Sequence, residues 1–430
     1  MQQELITKKP NYTSQIIIIG ILFFIFGFVT WLNSTLIPYL QIACQLETTQ
    51  AVLVTFAFYI SYAVMAFPSS WVLKRTGFKN GMMWGLIFMA LGALVFIPAA
   101  ETRSFPTFLT GLFVIGTGLA LLQTASNPYI TILGPIESAA KRMSVMGICN
   151  KGAGALAPLV MGAFLLKDSD ALVERLKTLN VAQKAAELDA LASRVIVPYI
   201  IIAAVLIALA FFVYFSGLPE IKAEGEDEVK NDSTGNAQTI FSFPYLWIGF
   251  VTLFLYVGVE VMAGDIIQIY GKAIGIPLDV AKHFTTYTML GMLIGYLVGI
   301  VSIPKYFSQT TALKGSAILG IIFSLLAIFT SGYTSILFIA LLGLANALVW
   351  PAIWPLTMHG LGRFTKAGSA LLIIAIAGGA VLPRIWASLG AQVGYQQAFW
   401  IMIPCYLFIF YFATFGYKAG VKNKVALKAI

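Results

Sequence analysis

The chain has 430 residues, 59% of them apolar and only 10% charged, where soluble proteins carry about 25% charged residues. With a mean hydropathy of +0.87, it has too few charges to coat a soluble body and too few to keep a chain disordered, so it reads as an integral membrane protein. Lys and Arg number 27 against 18 Asp and Glu, a net charge of +9, and in a membrane protein the placement of that charge matters more than its sum.

A membrane helix needs about 20 apolar residues. The apolar runs predict twelve spans, at 16–40, 50–73, 81–100, 105–133, 143–166, 194–217, 243–270, 281–303, 312–331, 334–360, 368–390 and 394–418. No alternating strands of about 10 residues are visible, which argues against an outer-membrane barrel. The first run is too long for a cleavable signal and lacks a small-residue cleavage site, so it reads as span 1. Residues 167–193 are polar with helical Leu and Ala spacing and predict one small amphipathic helix. Residues 218–242 carry Gly225-Glu226-Asp227-Glu228 and Asp232-Ser233-Thr234-Gly235-Asn236 and predict a flexible cytoplasmic linker. The expected division is therefore 1–217, a six-helix half, and 243–430, a second one. Seventeen Lys and Arg fall on the side of the termini and eight on the other. That bias predicts cytoplasmic termini for a multi-pass protein.

The halves echo one another at a spacing near 225 residues. Gly154-Ala155-Leu156-Ala157-Pro158 in span 5 matches Gly379-Ala380-Val381-Leu382-Pro383 in span 11, and Gly118-Leu119-Ala120 matches Gly343-Leu344-Ala345. Small residues and prolines are common in membrane helices, but the acidic linker at the midpoint supports a true repeat. Six plus six spans with a parallel repeat is a transporter architecture, with its site between the halves at mid-membrane.

Ionisable groups at membrane depth are expensive and mark function by default. Of the 18 acids only Glu260 and Asp265 lie within a span, both in span 7, with Glu137 in the loop after span 4. Five residues apart, they stand about 140° apart on a regular helix, but Ala263-Gly264 between them loosens it. Such acids carry a proton, or with other oxygens hold Na⁺, or else form structural ion pairs with Lys151 or Arg384, the two basic residues inside spans. Neutral polar groups cluster at similar depth: Thr30, Trp31, Asn33 and Ser34 in span 1; Gln123, Thr124, Ser126 and Asn127 in span 4; Asn150 in span 5; Gln268 in span 7; Asn346, Trp350 and Trp354 in span 10. Amides and hydroxyls both donate and accept, and Trp presents a flat apolar face with an N–H at its edge. This mixture suits an uncharged polyol. The same residues also serve as helix-tying amides and packing anchors in static bundles. Pro128, Pro158, Pro351, Pro355 and Pro383 give weak support for kinked gating helices.

No GxxxxGK[ST] string appears, so an ATP-driven pump would need another subunit. Cys44, Cys149 and Cys405 have no CxxC spacing, and His283 and His359 stand alone, so neither a metal set nor an intramembrane enzyme is expected. No cofactor, nucleic acid or obligatory protein partner is expected either.

The residues resemble the major facilitator superfamily and, within it, the fucose/glucose–galactose permease branch of sugar:cation symporters. The resemblance rests on Phe23-Phe24-Ile25-Phe26-Gly27-Phe28 and Leu32-Asn33-Ser34-Thr35-Leu36-Ile37-Pro38 in span 1. It rests further on Gly118-Leu119-Ala120-Leu121-Leu122-Gln123-Thr124-Ala125-Ser126-Asn127-Pro128 in span 4, Leu133-Gly134-Pro135 after it, and Tyr256-Val257-Gly258 in span 7. It covers nearly the whole chain outside the long loops. It implies alternating access and hexose uptake with a cation, and the sequence is more similar to glucose/galactose transporters than to fucose permeases. Fucose permeases carry carboxylates in spans 1 and 4; the matching Ser34 and Gln123 here do not titrate. The fucose-type proton site is therefore not carried over, and Glu260 and Asp265 are the expected coupling groups, with Na⁺ favoured over H⁺. By position, Gln123 and Asn150 are expected to touch the sugar. The superfamily's loop between spans 2 and 3 reads Leu73-Lys74-Arg75-Thr76-Gly77-Phe78-Lys79 here, with Lys74 where an acid is usual. Lys74, Arg75 and Gly77 are the expected gating residues.

With that resemblance, the sequence reads as an all-α, twelve-helix secondary carrier of the bacterial inner membrane importing glucose, galactose or mannose. Its expected sugar contacts are Asn33, Gln123, Asn127, Asn150, Gln268, Asn346, Trp350 and Trp354. Alternatives are a proton-driven exporter of drugs or metabolites, a transporter-like sugar sensor, and a passive channel.

Overall fold

The computed structural model describes residues 12–133, 139–219, 239–303, 305–361 and 364–421, with the side chains of 128, 131, 132, 139–141, 365 and 366 left aside. Glu137 and most of the expected linker lie outside the described residues. Those described are helical or in turns, with no strand among them. Eleven stretches are long and apolar enough to cross a membrane, and the longest, the 54 residues Thr48–Glu101, contains spans 2 and 3. The two are joined at Gly77, whose φ of 76° and ψ of 177° belong to a region that is essentially glycine's alone. A glycine there turns the chain with almost no loop. Twelve spans result.

The spans are apolar all round, as buried and lipid-facing helices must be. Large apolar side chains such as Phe164, Ile294 and Phe329 remain exposed on the periphery, where lipid rather than water is the natural neighbour. Small residues set the close approaches within the bundle. A methyl group at Gly27 of span 1 would overlap the Asn150 carbonyl of span 5, and one at Gly378 of span 11 would overlap the Phe254 carbonyl of span 7.

The region 167–193 is not one helix. It forms two, Ser169–Leu176 and Val181–Ser193. The Asn180 side chain accepts the Gln183 backbone N–H at 2.9 Å and Gln183 Oε1 accepts the Asn180 N–H at 3.3 Å. This reciprocal cap starts a new helix and so ends the old one.

Several spans are interrupted. Span 1 breaks between Thr13–Trp31 and Asn33–Ala43, span 7 between Pro244–Gly264 and Ile267–Ala273, span 10 between Gly332–Asn346 and Val349–Met358, and span 11 between Thr365–Ala375 and Gly378–Val393. Breaks at membrane depth leave backbone groups without helical partners, which is tolerated only where protein or a cavity satisfies them.

Candidate functional site: a charged network across the two halves

The break in span 7 places the acids. The helix ends at Gly264, and the loosened carbonyls are taken up by span 8: the Thr285 hydroxyl donates to Gly264 O at 2.6 Å and the Thr288 hydroxyl to Ala263 O at 2.9 Å. Gln268 Nε2 donates to Thr285 Oγ1 at 3.0 Å, which pins the second half of span 7 to the same helix.

Glu260 precedes the break and Asp265 follows it, and they meet different partners. Lys151 Nζ of span 5 lies 2.5 Å from Glu260 Oε1. The pair joins the two halves, and both members are buried, at 9% and 8% exposure. Of the two candidate basic partners it is Lys151 that forms the pair; Arg384 donates instead to the Thr49 carbonyl. The Lys151 ammonium also lies 4.6 Å from the centre of the Trp31 ring, a cation–π contact. Asp265 is fully buried. The Tyr59 hydroxyl of span 2 donates to its Oδ2 at 3.4 Å, the Ser34 backbone N–H faces it, and its Oδ1 has no hydrogen-bond partner. Among the described residues, Lys151 acts on Asp265 and is already engaged by Glu260.

Trp31 sits at the end of the first segment of span 1, between the halves. A methyl at Gly154 of span 5 or at Gly264 of span 7 would overlap its ring. Each half thus leaves a glycine-lined face for one indole, whose Nε1 is buried without a partner.

The network extends into span 4. Gln123 Nε2 donates to the Tyr62 hydroxyl at 3.2 Å, and the Tyr62 ring stacks on Tyr59 with centroids 6.4 Å apart. Gln123 is thereby tied to the residue that reaches Asp265. Asn150 Nδ2 donates to Phe23 O at 3.4 Å, beside Lys151. Gly152, next along span 5, has open space where a side chain would be.

The remaining sequence candidates are dispersed. Asn33 is buried and lines a small apolar void with Phe58, Leu112, Tyr199 and Leu206, inside the first half and turned toward span 6. Asn346 Oδ1 accepts from the Tyr406 hydroxyl of span 12 at 2.9 Å. Trp350 and Trp354 stack with centroids 5.4 Å apart, both half-buried, and Asn127 is half-buried in span 4. In the loop between spans 2 and 3, the Arg75 guanidinium lies over the Trp71 ring at 4.0 Å, Lys74 is exposed, and Lys79 Nζ donates to Ser216 O at 2.7 Å, at the C-terminal end of span 6.

Residue typing selected the acids but not Tyr59 and Tyr62. Their signal is two hydroxyl-bearing rings three residues apart on one helix face. Buried tyrosines require partners, and that requirement points to a polar neighbour in another span.

The model for the Major Facilitator Superfamily matches residues 19–378. A glucose/galactose transporter of Brucella abortus is 33% identical over 416 residues, covering 96% of each chain. The L-fucose-proton symporter of Escherichia coli is 28% identical over 414 residues, covering 95% of this chain and 94% of that one. A crystal structure of the E. coli fucose:proton symporter superposes with a TM-score of 0.73 at 27% identity, covering 95% and 99%. A second structure, of a transporter in the outward conformation, gives 0.72 at 26% identity, covering 94% and 99%.

Proposed function

The chain belongs to the Major Facilitator Superfamily, and within it we propose that this protein imports a hexose such as glucose, galactose or mannose across the bacterial inner membrane together with a cation, by alternating access. The observation that carries the coupling is Asp265: a carboxylate with no exposure, one oxygen without a partner among the described residues, and the Lys151 ammonium that acts on it shared with Glu260. An ionised carboxylate in that position is costly. Binding a cation removes the cost, so the occluded state forms readily only when the cation is aboard.

We take the cation to be a proton. The groups facing Asp265 are donors, the Tyr59 hydroxyl and the Ser34 amide, whereas a hard metal cation prefers a shell of oxygens. Relatives of this chain named as symporters are proton symporters. This replaces the preference for Na⁺ drawn from the missing span 1 and span 4 acids. The Asp265 carboxyl faces the backbone of Ser34, so span 7 supplies a titratable group where span 1 has none.

The sugar is read as lying between the halves, against Gln123, Asn127 and Asn150 on one side and Gln268, Asn346, Trp350 and Trp354 on the other. Asn33 is dropped from that set because it faces span 6. Gln123 is joined to Asp265 through Tyr62 and Tyr59, which gives sugar occupancy a physical route to the cation site. By linkage, whatever factor the proton adds to sugar affinity, the sugar adds to proton affinity.

The test is labelled-hexose uptake into proteoliposomes under imposed H⁺ or Na⁺ gradients. The native protein is expected to accumulate hexose with H⁺ alone. Asp265→Asn is expected to lose accumulation while keeping sugar counterflow. Accumulation driven by Na⁺, or an Asp265→Asn carrier that still concentrates sugar, overturns the assignment.

A further inference from the structure

Two carboxylates and one ammonium meet at this depth, and their arrangement sets a count. Lys151 lies 2.5 Å from Glu260 and is held on its other side by the Trp31 ring at 4.6 Å. Among the described residues, the other titratable groups on which Glu260 acts are the phenols of Tyr256, Tyr296, Tyr406 and Tyr59, and Asp265. None of these is a cation. Glu260 is therefore neutralised by the chain itself, and Asp265 is the carboxylate left over.

We propose that Lys151 is a built-in counter-cation whose charge fixes the coupling ratio: one solute proton per sugar, because one of the two span 7 carboxylates is already neutralised. This rests on the reading that a proton on Asp265 couples transport. Lys151 is a positioning residue here, since it acts through Glu260 and Asp265 rather than on the sugar. Trp31 keeps its ammonium at the junction of the halves. A purely structural ion pair would affect folding and leave the ratio alone, so the ratio separates the two roles.

The count also covers the variants. Lys151→Gln leaves two unneutralised carboxylates and is expected to carry about two protons per sugar. Glu260→Gln frees Lys151, which already acts on Asp265, and is expected to carry none: sugar equilibrates and exchanges but does not accumulate. The double variant Lys151→Gln/Glu260→Gln returns to about one. Asp265→Asn/Lys151→Gln regains the accumulation that Asp265→Asn alone loses, because Glu260 is then the one carboxylate without a counter-cation.

The experiment is the proton-to-hexose flux ratio in proteoliposomes of the full chain, read from pH change and labelled sugar together. Ratios near one, two, zero and one for native, Lys151→Gln, Glu260→Gln and the double variant are the expected set. A ratio of one in either single variant overturns the proposal. If Lys151→Gln does not fold, Glu260→Gln and the double variant still decide it. A native protein whose uptake no proton gradient drives fails at the earlier reading, and that outcome is visible before any variant is made.

Discussion

Trp31 occupies a place that two glycines define. Its ring lies against Gly154 of one half and Gly264 of the other, and its face carries the Lys151 ammonium. Gly154→Val or Gly264→Val drives a branched side chain into that ring, an overpacking worth about 1–3 kcal/mol or more. The expected result is a lowered unfolding temperature in detergent and reduced uptake, with partial recovery when Trp31→Phe is added. If either valine variant is as stable as the native chain, the ring is not clamped. At this scale the sequence located polar groups but not their directions. Asn33 and Ser34 are neighbours, yet the Ser34 backbone faces Asp265 while Asn33 looks into an apolar void. Successive residues point about 100° apart on a helix, so a list of polar residues at one depth mixes those facing the partner half with those facing their own. The acids were legible because burying a charge is costly whatever its direction. Tyr59 and Tyr62 were not, because a tyrosine in an apolar run looks like packing until its hydroxyl partner is known.

Elements behave differently, because their limits are set by local rules. Span existence followed from apolar length, but the sharp turn at Gly77 did not, because residues 74–80 between the apolar runs read as an ordinary loop. The breaks in spans 1, 7, 10 and 11 were only partly legible. Ala263-Gly264 announced one of them, but the hydroxyls that stabilise it come from span 8, far along the chain. The repeat motif acquires a meaning at this scale: Gly154 admits Trp31, and its counterpart Gly379 lies against the Tyr59 ring. In this pair of repeated glycines each lies against an aromatic side chain of the network. The helical pair at 169–193 also gains a role. The Asp170 carboxylate accepts the backbone N–H groups of Leu278 and Asp279, both at 2.9 Å, capping the short helix Leu278–Ala281 that leads into span 8. Charge-assisted hydrogen bonds of this kind are worth about 1.5–3 kcal/mol each, and these two tie the first half to the second. Asp170→Ala is expected to raise labelling of a cysteine placed at Gln41 by a membrane-impermeant maleimide several-fold, with Asp170→Glu retaining part of the native protection. Unchanged labelling means the cap holds one loop and not the closed end.

For the whole molecule, the links between the halves define a conformation. Passing away from mid-depth toward the end opposite the linker, Lys151 meets Glu260, the Thr286 hydroxyl donates to Ala155 O at 3.0 Å, and Tyr59 reaches Asp265. Beyond these, Arg384 reaches Thr49, Lys282 Nζ reaches Leu166 O at 3.4 Å, and Lys272 Nζ reaches Gln41 Oε1 at 2.9 Å. That end is clasped, whereas a related transporter has been solved in the outward conformation. On the proposed orientation, with cytoplasmic termini, the clasped end is the external one, and opening it must part the links that lie beyond the Lys151–Glu260 pair, among them Tyr59 with Asp265. A buried charge left without its partner costs about 3–5 kcal/mol, so Asp265 must be met by solute or water as Tyr59 withdraws. On the proposed coupling through Asp265, external opening and cation exchange are a single event rather than two. A flexible thiol-reactive cross-linker between cysteines at Gln41 and Lys272 should therefore abolish hexose uptake and counterflow from the outside, and cleaving the linker should restore both. In inside-out vesicles the same cross-linked protein is expected to keep binding hexose from the linker side, because the clasp leaves that approach untouched. If the cross-linked carrier instead cycles normally, the rocking of halves about this end is refuted, and the links across it are passive packing.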